Sequence, residues 1–370
     1  MNATMFLETA ASVSLQAALV VLTAWIVRRL GRLGARAECS LWNWAYGIIL
    51  LLTIVAATFP HMRLTTPDTN DAAEAVSSAQ VQLVTGQVLQ LVWLAGVAIT
   101  TLALLVGWWS AGRALRTSWI VEASSLSDFD GGHDLEIEGR PVSVRAGPDV
   151  SGPCCWQLHR PYILLPEKVL ALAPRQVQFI IRHELAHLRL GHPLQFFGQR
   201  VVEILFWFHP LVWWSARQAT TAREFACDES VARSRGEIAD YLRTLLAVVE
   251  RTHEPCGQTL GFGAGAGAIA MRARRLVALA ELEHLPVETA RQRLLRIGLF
   301  AACCLICTLA WLPVNSLASS RSWWSPWPAW SASLASDLGL PVRDYEIFDP
   351  RSQMFELRHE ADAGSRGAAH

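Results

Sequence analysis

Four uncharged apolar runs govern what this chain can fold into: residues 9–27, 41–59, about 88–110 and 297–317. Each holds roughly 18 residues or more, enough for a helix to cross a ~30 Å hydrocarbon core. Composition agrees. With 52% hydrophobic and 17% charged residues, the chain falls well below the roughly 25% charge of soluble domains, which excludes an ordinary soluble enzyme. Its richness in Leu, Val, Ile and Phe excludes disorder over most of its length. A formal net charge of zero supplies no basic field for nucleic acid, so the lipid bilayer is an expected partner and no direct nucleic acid is. The 16 Trp suit membrane–water boundaries, where ring and N–H are both satisfied.

Charges flanking the runs set an expected orientation. Arg28, Arg29, Arg32 and Arg36 follow the first run, so that loop reads as cytoplasmic and the N-terminus as external. A secretory signal would carry its charge before the run instead. Arg113 and Arg116 follow the third run, and Arg291, Arg293 and Arg296 precede the fourth. The expected organisation is therefore residues 1–112 as three N-terminal transmembrane helices and 113–296 as a cytosolic domain. Residues 297–317 form a fourth transmembrane helix and 318–370 a short extracytoplasmic tail. Cys303, Cys304 and Cys307 fall inside the fourth span and read as packing. Cys154, Cys155 and Cys227 read as cytosolic thiols, where disulfides are rare.

Within the cytosolic portion, residues 119–166 read as short strands, with alternation over 141–145 and a proline-bounded apolar run over 160–166. From Pro174 the period becomes helical: Val177, Ile180, Ile181, Leu185 and Leu188 recur at three- and four-residue spacing, and Gly191 and Pro193 stop the helix. The aromatic stretch 201–214, broken by His209-Pro210, reads either as a buried helix hairpin or as a membrane-surface element. Helices are expected over 216–235 and 238–250, and the glycine-rich 261–267 reads as a linker.

The chemistry is concentrated in His183-Glu-Leu-Ala-His187, an HExxH motif on the helix just described. Residues four apart share a helix face, so both imidazoles can point at one ion, and the donors suit Zn2+. Glu184, on the same turn, can reach a water in the open coordination position and take its proton as general base. Such a site needs a third protein ligand. His192 is misplaced for the extended motif HExxHxxGxxH and reads as a helix C-terminal cap. Glu203 is a candidate. Glu224 is favoured over it, because Asp228 lies four residues on, where it can hold a ligand His through the other ring nitrogen.

With these residues placed, the chain resembles the membrane antirepressor metallopeptidases of the BlaR/MecR type. The resemblance runs over about residues 1–316. It is carried by the three N-terminal spans, the Pro-Tyr-Ile-Leu-Leu-Pro segment ending at 166 and the HELAH helix. Phe206-Trp-Phe-His-Pro-Leu-Val-Trp213, Arg223-Glu-Phe-Ala-Cys-Asp228 and the fourth span continue it. It implies a gluzincin-like zinc endopeptidase of the bacterial inner membrane, with His183, His187 and Glu224 as ligands and Glu184 as base. It further implies self-cleavage and loss of a winged-helix transcriptional repressor after a signal. The chain departs from the β-lactam sensors at its C-terminal end: residues 318–370 contain no Lys and so no Ser-x-x-Lys nucleophile motif.

The expected fold is thus a mainly α membrane protein, four transmembrane helices with an α+β cytosolic zincin-like metalloprotease domain. A peptide substrate is expected to lie along an edge strand at Tyr162, Ile163, Leu164 and Leu165. His209 and Tyr241 are candidate oxyanion or substrate contacts. A homo-oligomer is also compatible. Two other readings stand beside this one, a housekeeping or prenyl-protein membrane endopeptidase and a non-catalytic receptor or scaffold.

Overall fold

A computed structural model of the chain describes residues 3–31, 33–61, 72–121, 135–157, 160–232, 234–251, 266–281, 290–312 and 329–339. Three long helices come first: α1 (Ala3–Gly31), α2 (Ala35–Thr58) and α3 (Ala72–Thr117). Over Phe6–Gly31, Ala35–Thr58 and Gln80–Thr117 they are long and apolar enough to cross a membrane. α1 and α2 pack through small and flat side chains, with Ala17, Val20, Val21 and Ala24 buried against Ala35, Trp42, Ala45 and Ile49. At one end Arg28 bridges to Glu38 at 2.5 Å. α3 turns a long apolar surface outward: Leu91, Ile99, Leu102, Leu105 and Trp109 are all exposed. An apolar face of that length suits lipid and not water.

Two small sheets follow. Strands β1 (Trp119–Ile120), β2 (Glu136–Ile137), β3 (Arg140–Pro141), β4 (Ser143–Gly147), β5 (Cys154–Trp156) and β6 (Tyr162–Pro166) come in chain order. β2 and β3 form a two-residue hairpin. Glu138 (φ 50°) and Gly139 (φ 75°) both take positive φ at its turn, the geometry that matches strand twist. The other strands assemble in the order β1-β4-β6-β5. β4 and β6 are parallel, and β5 pairs with β6 antiparallel.

This order corrects one expectation. Tyr162–Leu165 lies inside the sheet, hydrogen-bonded on both sides, and offers no free edge. Its proline-bounded apolar run is that of a strand buried on both faces: Ile163, Leu164 and Leu165 are all buried. The edge on that side is β5.

A short α4 (Glu167–Leu170) leads into α5 (Pro174–Arg189). All five periodic residues of α5 are buried against Ile137, Val144, Ile163 and Leu165 of the sheets. Gly191, in the left-handed region at φ 67°, ends the helix and turns the chain into α6 (His192–Leu205). α7 (Pro210–Val231) returns antiparallel to it.

The aromatic stretch 201–214 is thus the tip of a helix hairpin, and the tip sits among the long helices. Trp93 of α3 donates its indole N–H to the Leu205 carbonyl at 2.9 Å. His209 Nε2 approaches the Ser14 carbonyl of α1 at 3.2 Å. Ser14 and Trp93 lie within the apolar lengths of α1 and α3, so the tip sits at the level of those lengths. Polar ends of the aromatics meet backbone carbonyls there, which lowers the cost of placing them in an apolar layer. Gly96 makes the approach feasible: a Cβ at that position would fall 2.0 Å from Trp207 Cε2. Gly96→Ala is expected to displace the rigid indole and cost about 1–3 kcal/mol. Thermal unfolding in detergent should show the loss, and Trp207→Ala in the same chain should relieve it. Equal midpoints for wild type and Gly96→Ala would refute the packing.

α8 (Arg235–Arg251) and α9 (Ala266–Glu281) complete the portion around α5. α10 (Ala290–Thr308) packs along α1, and α11 (Ala329–Asp337) follows. The fourth apolar run is helical only to Thr308, about 18 Å from residue 297 at 1.5 Å per residue, and residues 313–317 lie outside the described ones. Where the helix stops, α1 supplies partners for the chain. Gln16 donates to the Ala310 carbonyl at 3.3 Å, Ser12 Oγ accepts the Leu312 N–H at 3.0 Å, and Glu8 accepts the Trp311 indole N–H at 2.6 Å. Further on, Trp330 donates to the Ala57 carbonyl at 2.9 Å, at the Thr58 end of α2.

Candidate metal centre

The middle of α5 carries the HExxH residues on a buried turn. His183 and Glu184 are 8% and 7% exposed, a burial that titratable groups tolerate only with partners. His183 Nε2 and His187 Nε2 lie 3.2 Å apart. Glu224, reaching across from α7, places Oε2 3.5 Å from His183 Nε2 and Oε1 3.6 Å from His187 Nε2. One donor atom from each of the three falls within 4.8 Å of the others. Tetrahedral zinc with bonds of about 2.0–2.1 Å separates its N and O donors by about 3.3 Å, so this N2O set fits such an ion.

Behind His183 stands a second layer. Tyr241 of α8 donates its O–H to Asp228 Oδ1 at 2.7 Å. The same phenol oxygen lies 2.9 Å from His183 Nδ1, and Asp228 Oδ1 lies 3.3 Å from it. A proton on Nδ1 is thereby held, and Nε2 is left to face the ion position. Asp228 thus lies beside His183, on the side where its four-residue offset from Glu224 puts it. The Tyr241 hydroxyl sits on the Nδ1 side of the ring, away from the Nε2 atoms that face Glu224, and so is not placed as an oxyanion or substrate contact.

Other candidates are dispersed. His209, at the hairpin tip, lies fifteen residues from Glu224 along α7, about 22 Å by helical rise, so it is no oxyanion contact. Glu203 is buried on α6, where it accepts from Gln199 at 2.7 Å and pairs with Arg200. It is no ligand. His192 is not a C-terminal cap either: Gly191 already turns the chain, and His192 begins α6 with Nδ1 2.9 Å from His187 Nδ1.

The sequence profile described as BlaR1 peptidase M56 matches residues 8–274. The chain belongs to the BlaR1 peptidase M56 family. Regulatory protein BlaR1 of Bacillus licheniformis is 29% identical over 146 residues, 39% of this chain and 24% of that protein. The methicillin resistance mecR1 protein of Staphylococcus aureus is 24% identical over 174 residues, 45% of this chain and 28% of that one. The aligned part thus spans about a quarter of these relatives' length. M56 membership and three apolar helices make the chain an integral membrane protein of metallopeptidase type.

The M56 match ends just after a residue that the sequence reading passed over, Arg272 on α9. Its guanidinium grips Asp228 with two bonds, Nε–Oδ2 2.8 Å and Nη2–Oδ1 2.6 Å. Nη1 lies 3.0 Å from Glu224 Oε2. Two carboxylates packed beside a buried motif call for a cation, but with Arg abundant throughout the chain no spacing signal marks which one.

This charge arrangement divides the titrating groups of the M56 centre. Burial alone would raise Asp228 and Glu224, but Arg272 overrides it, holding Asp228 down at about 2 and Glu224 well below its ordinary range. Burial would lower His183, but its hydrogen bonds to Asp228 and Glu224 prevail and push it up to about 9. His187 is drawn down to about 4, chiefly by burial. Glu184 is pushed up to about 7 by burial. A metal must displace the His183 proton, so affinity should rise about tenfold per pH unit from 7 to 9 and then level off. Metal titrations across that range, each with proton release measured, test this. A pH-independent affinity would contradict it.

Proposed function

We propose that the chain is a membrane-embedded zinc endopeptidase that acts in signal transduction, cleaving itself or a cytosolic winged-helix transcriptional repressor. The observation that carries the reading is the convergence of His183, His187 and Glu224 on one point, with Glu184 beside them. Zinc held there supplies a Lewis acid that polarises the scissile carbonyl and makes water acidic near neutral pH. Glu184 takes the proton of the attacking water and passes it to the leaving amine. Its carboxylate accepts a hydrogen bond from the Cys155 thiol of β5, which ties the base to the edge strand. Tyr241 and Asp228 hold His183 in the ligating tautomer, and Arg272 keeps both acidic side chains ionised.

The substrate lies extended along β5, whose outer edge offers main-chain hydrogen bonds. Beyond Cys155, Trp156 borders an apolar recess lined also by Trp108, Pro193, Phe196 and Phe197. It suits an apolar substrate side chain.

In this reading residues 113–296 form a zincin-like domain on the cytosolic face of a bacterial inner membrane, with the 201–214 hairpin tip reaching in among the long helices, and both termini are external. The charge asymmetry of the loops supports that orientation, as does the packing of α10 along α1 before Trp330 reaches the far end of α2. At the end of α10, α1 side chains take up backbone groups of Ala310 and Leu312. The decisive experiment uses purified full chain in detergent with a candidate repressor. Chelation should stop cleavage of the chain or the repressor, and zinc should restore it. Cleavage that continues in the metal-free protein would overturn the assignment.

A further inference from the structure

The corner between α5, α6 and α7 holds a second donor cluster, back to back with the first. His187 uses Nε2 toward His183 and Glu224, and its Nδ1 points the other way, 2.9 Å from His192 Nδ1. The same His192 nitrogen lies 3.5 Å from Cys227 Sγ. His187, His192 and Cys227 each bring a ligand atom within 4.8 Å of the others. Cys227 and His192 are 0% and 3% exposed. For tetrahedral zinc, bonds of about 2.0–2.1 Å to N and 2.3 Å to S imply N···N near 3.3 Å and N···S near 3.6 Å. The His192–Cys227 separation matches, and the two imidazoles need to part by only a few tenths of an ångström.

We propose that this chain holds a second metal position of N2S type on His187 Nδ1, His192 Nδ1 and Cys227 Sγ, so that the His187 ring bridges two ions. The donor set is softer than the N2O set beside it and favours zinc or another borderline-soft divalent cation over magnesium or calcium. Binding releases two protons, one from the Cys227 thiol and one from His187 Nδ1. The dication is then neutralised by one thiolate and one imidazolate, and no uncompensated charge is added to a buried corner. Three protein donors leave one position for water, so the ion exchanges more readily than one in a closed four-ligand site. Its occupancy would clamp α7 to the α5–α6 corner and make the centre responsive to metal supply.

The inference shares His187 with the proposed catalytic site, and cobalt(II) as probe separates the two. Full-length protein in detergent, freed of metal, is titrated with Co2+ while bound metal and the near-ultraviolet sulfur-to-cobalt charge-transfer band are followed. Two equivalents with a sulfur band are expected. The band should vanish and one equivalent remain in Cys227→Ser, while Cys155→Ser, at the thiol beside Glu184, should keep both. The wild-type band is read without any variant, so misfolding of Cys227→Ser cannot mask the result. One equivalent without a sulfur band overturns the second site, leaving His192 as a hydrogen-bond partner of His187. One equivalent with a band that survives Glu224→Ala supports the N2S site and overturns the His183–His187–Glu224 assignment instead.

Discussion

Glu184→Gln is expected to bind metal as the wild type does and to lose peptide hydrolysis by about 10²- to 10⁴-fold, the range over which a positioned general base contributes. The side chains differ by one heavy atom type and fill the same volume, so packing against Cys155 and the α5 turn is kept. What disappears is the proton acceptor. Burial pushes the Glu184 carboxyl up to about 7, which makes it a stronger base than an ordinary surface glutamate and so a better match for water near neutral pH. The converging donors are those of His183, His187 and Glu224, so the amide at position 184 should leave stoichiometry unchanged. Metal content and cleavage of the chain or a repressor, measured on the same preparation, test both halves. Retained cleavage at the wild-type rate removes Glu184 from the mechanism, and lost metal makes it a ligand.

Legibility followed the range of the forces involved. α5 could be read residue by residue, because Val177, Ile180, Ile181, Leu185 and Leu188 obey one period and are all buried in one cluster with the sheets. The placement of Glu224 and Asp228 beside the motif was readable, because two acidic residues four apart on a helix present one face and HExxH calls for a partner from elsewhere in the chain. Strand order was not. Tyr162–Leu165 announces a strand through its own apolar run, but whether β4 and β5 flank it depends on pairing across loops, which no local pattern encodes. His192 failed for a related reason: nine residues after His183 is wrong for one extended motif, yet the left-handed turn at Gly191 swings its ring back onto His187. The hairpin tip was half legible. Its aromatics signalled an apolar setting, but the fit of Trp207 over Gly96 joins residues more than a hundred positions apart.

Arg272 belongs to that long-range class too, 44 positions from Asp228, and its removal should have the second large effect. Arg272→Met preserves most of the apolar stem and deletes the charge, leaving Asp228, with a side chain only 2% exposed, and the less buried Glu224 without their shared cation. Breaking a buried pair by removing one partner costs about 3–5 kcal/mol. For a domain of this size that lowers the thermal midpoint by on the order of 10 °C. A metal ion should restore only part of the loss, because it would neutralise Glu224 directly but reach Asp228 only through His183. The deficit between Arg272→Met and wild type should therefore be larger for metal-free than for metal-loaded protein. Arg272→Lys should fall between them, since an ammonium keeps the charge but cannot reproduce the two-point grip on Asp228. Calorimetry in detergent at several zinc concentrations measures all three. Equal melting of Arg272→Met and wild type without metal would mean that the carboxylates find another counter-charge, and that α9 does not fasten the centre from outside the helices that carry its ligands.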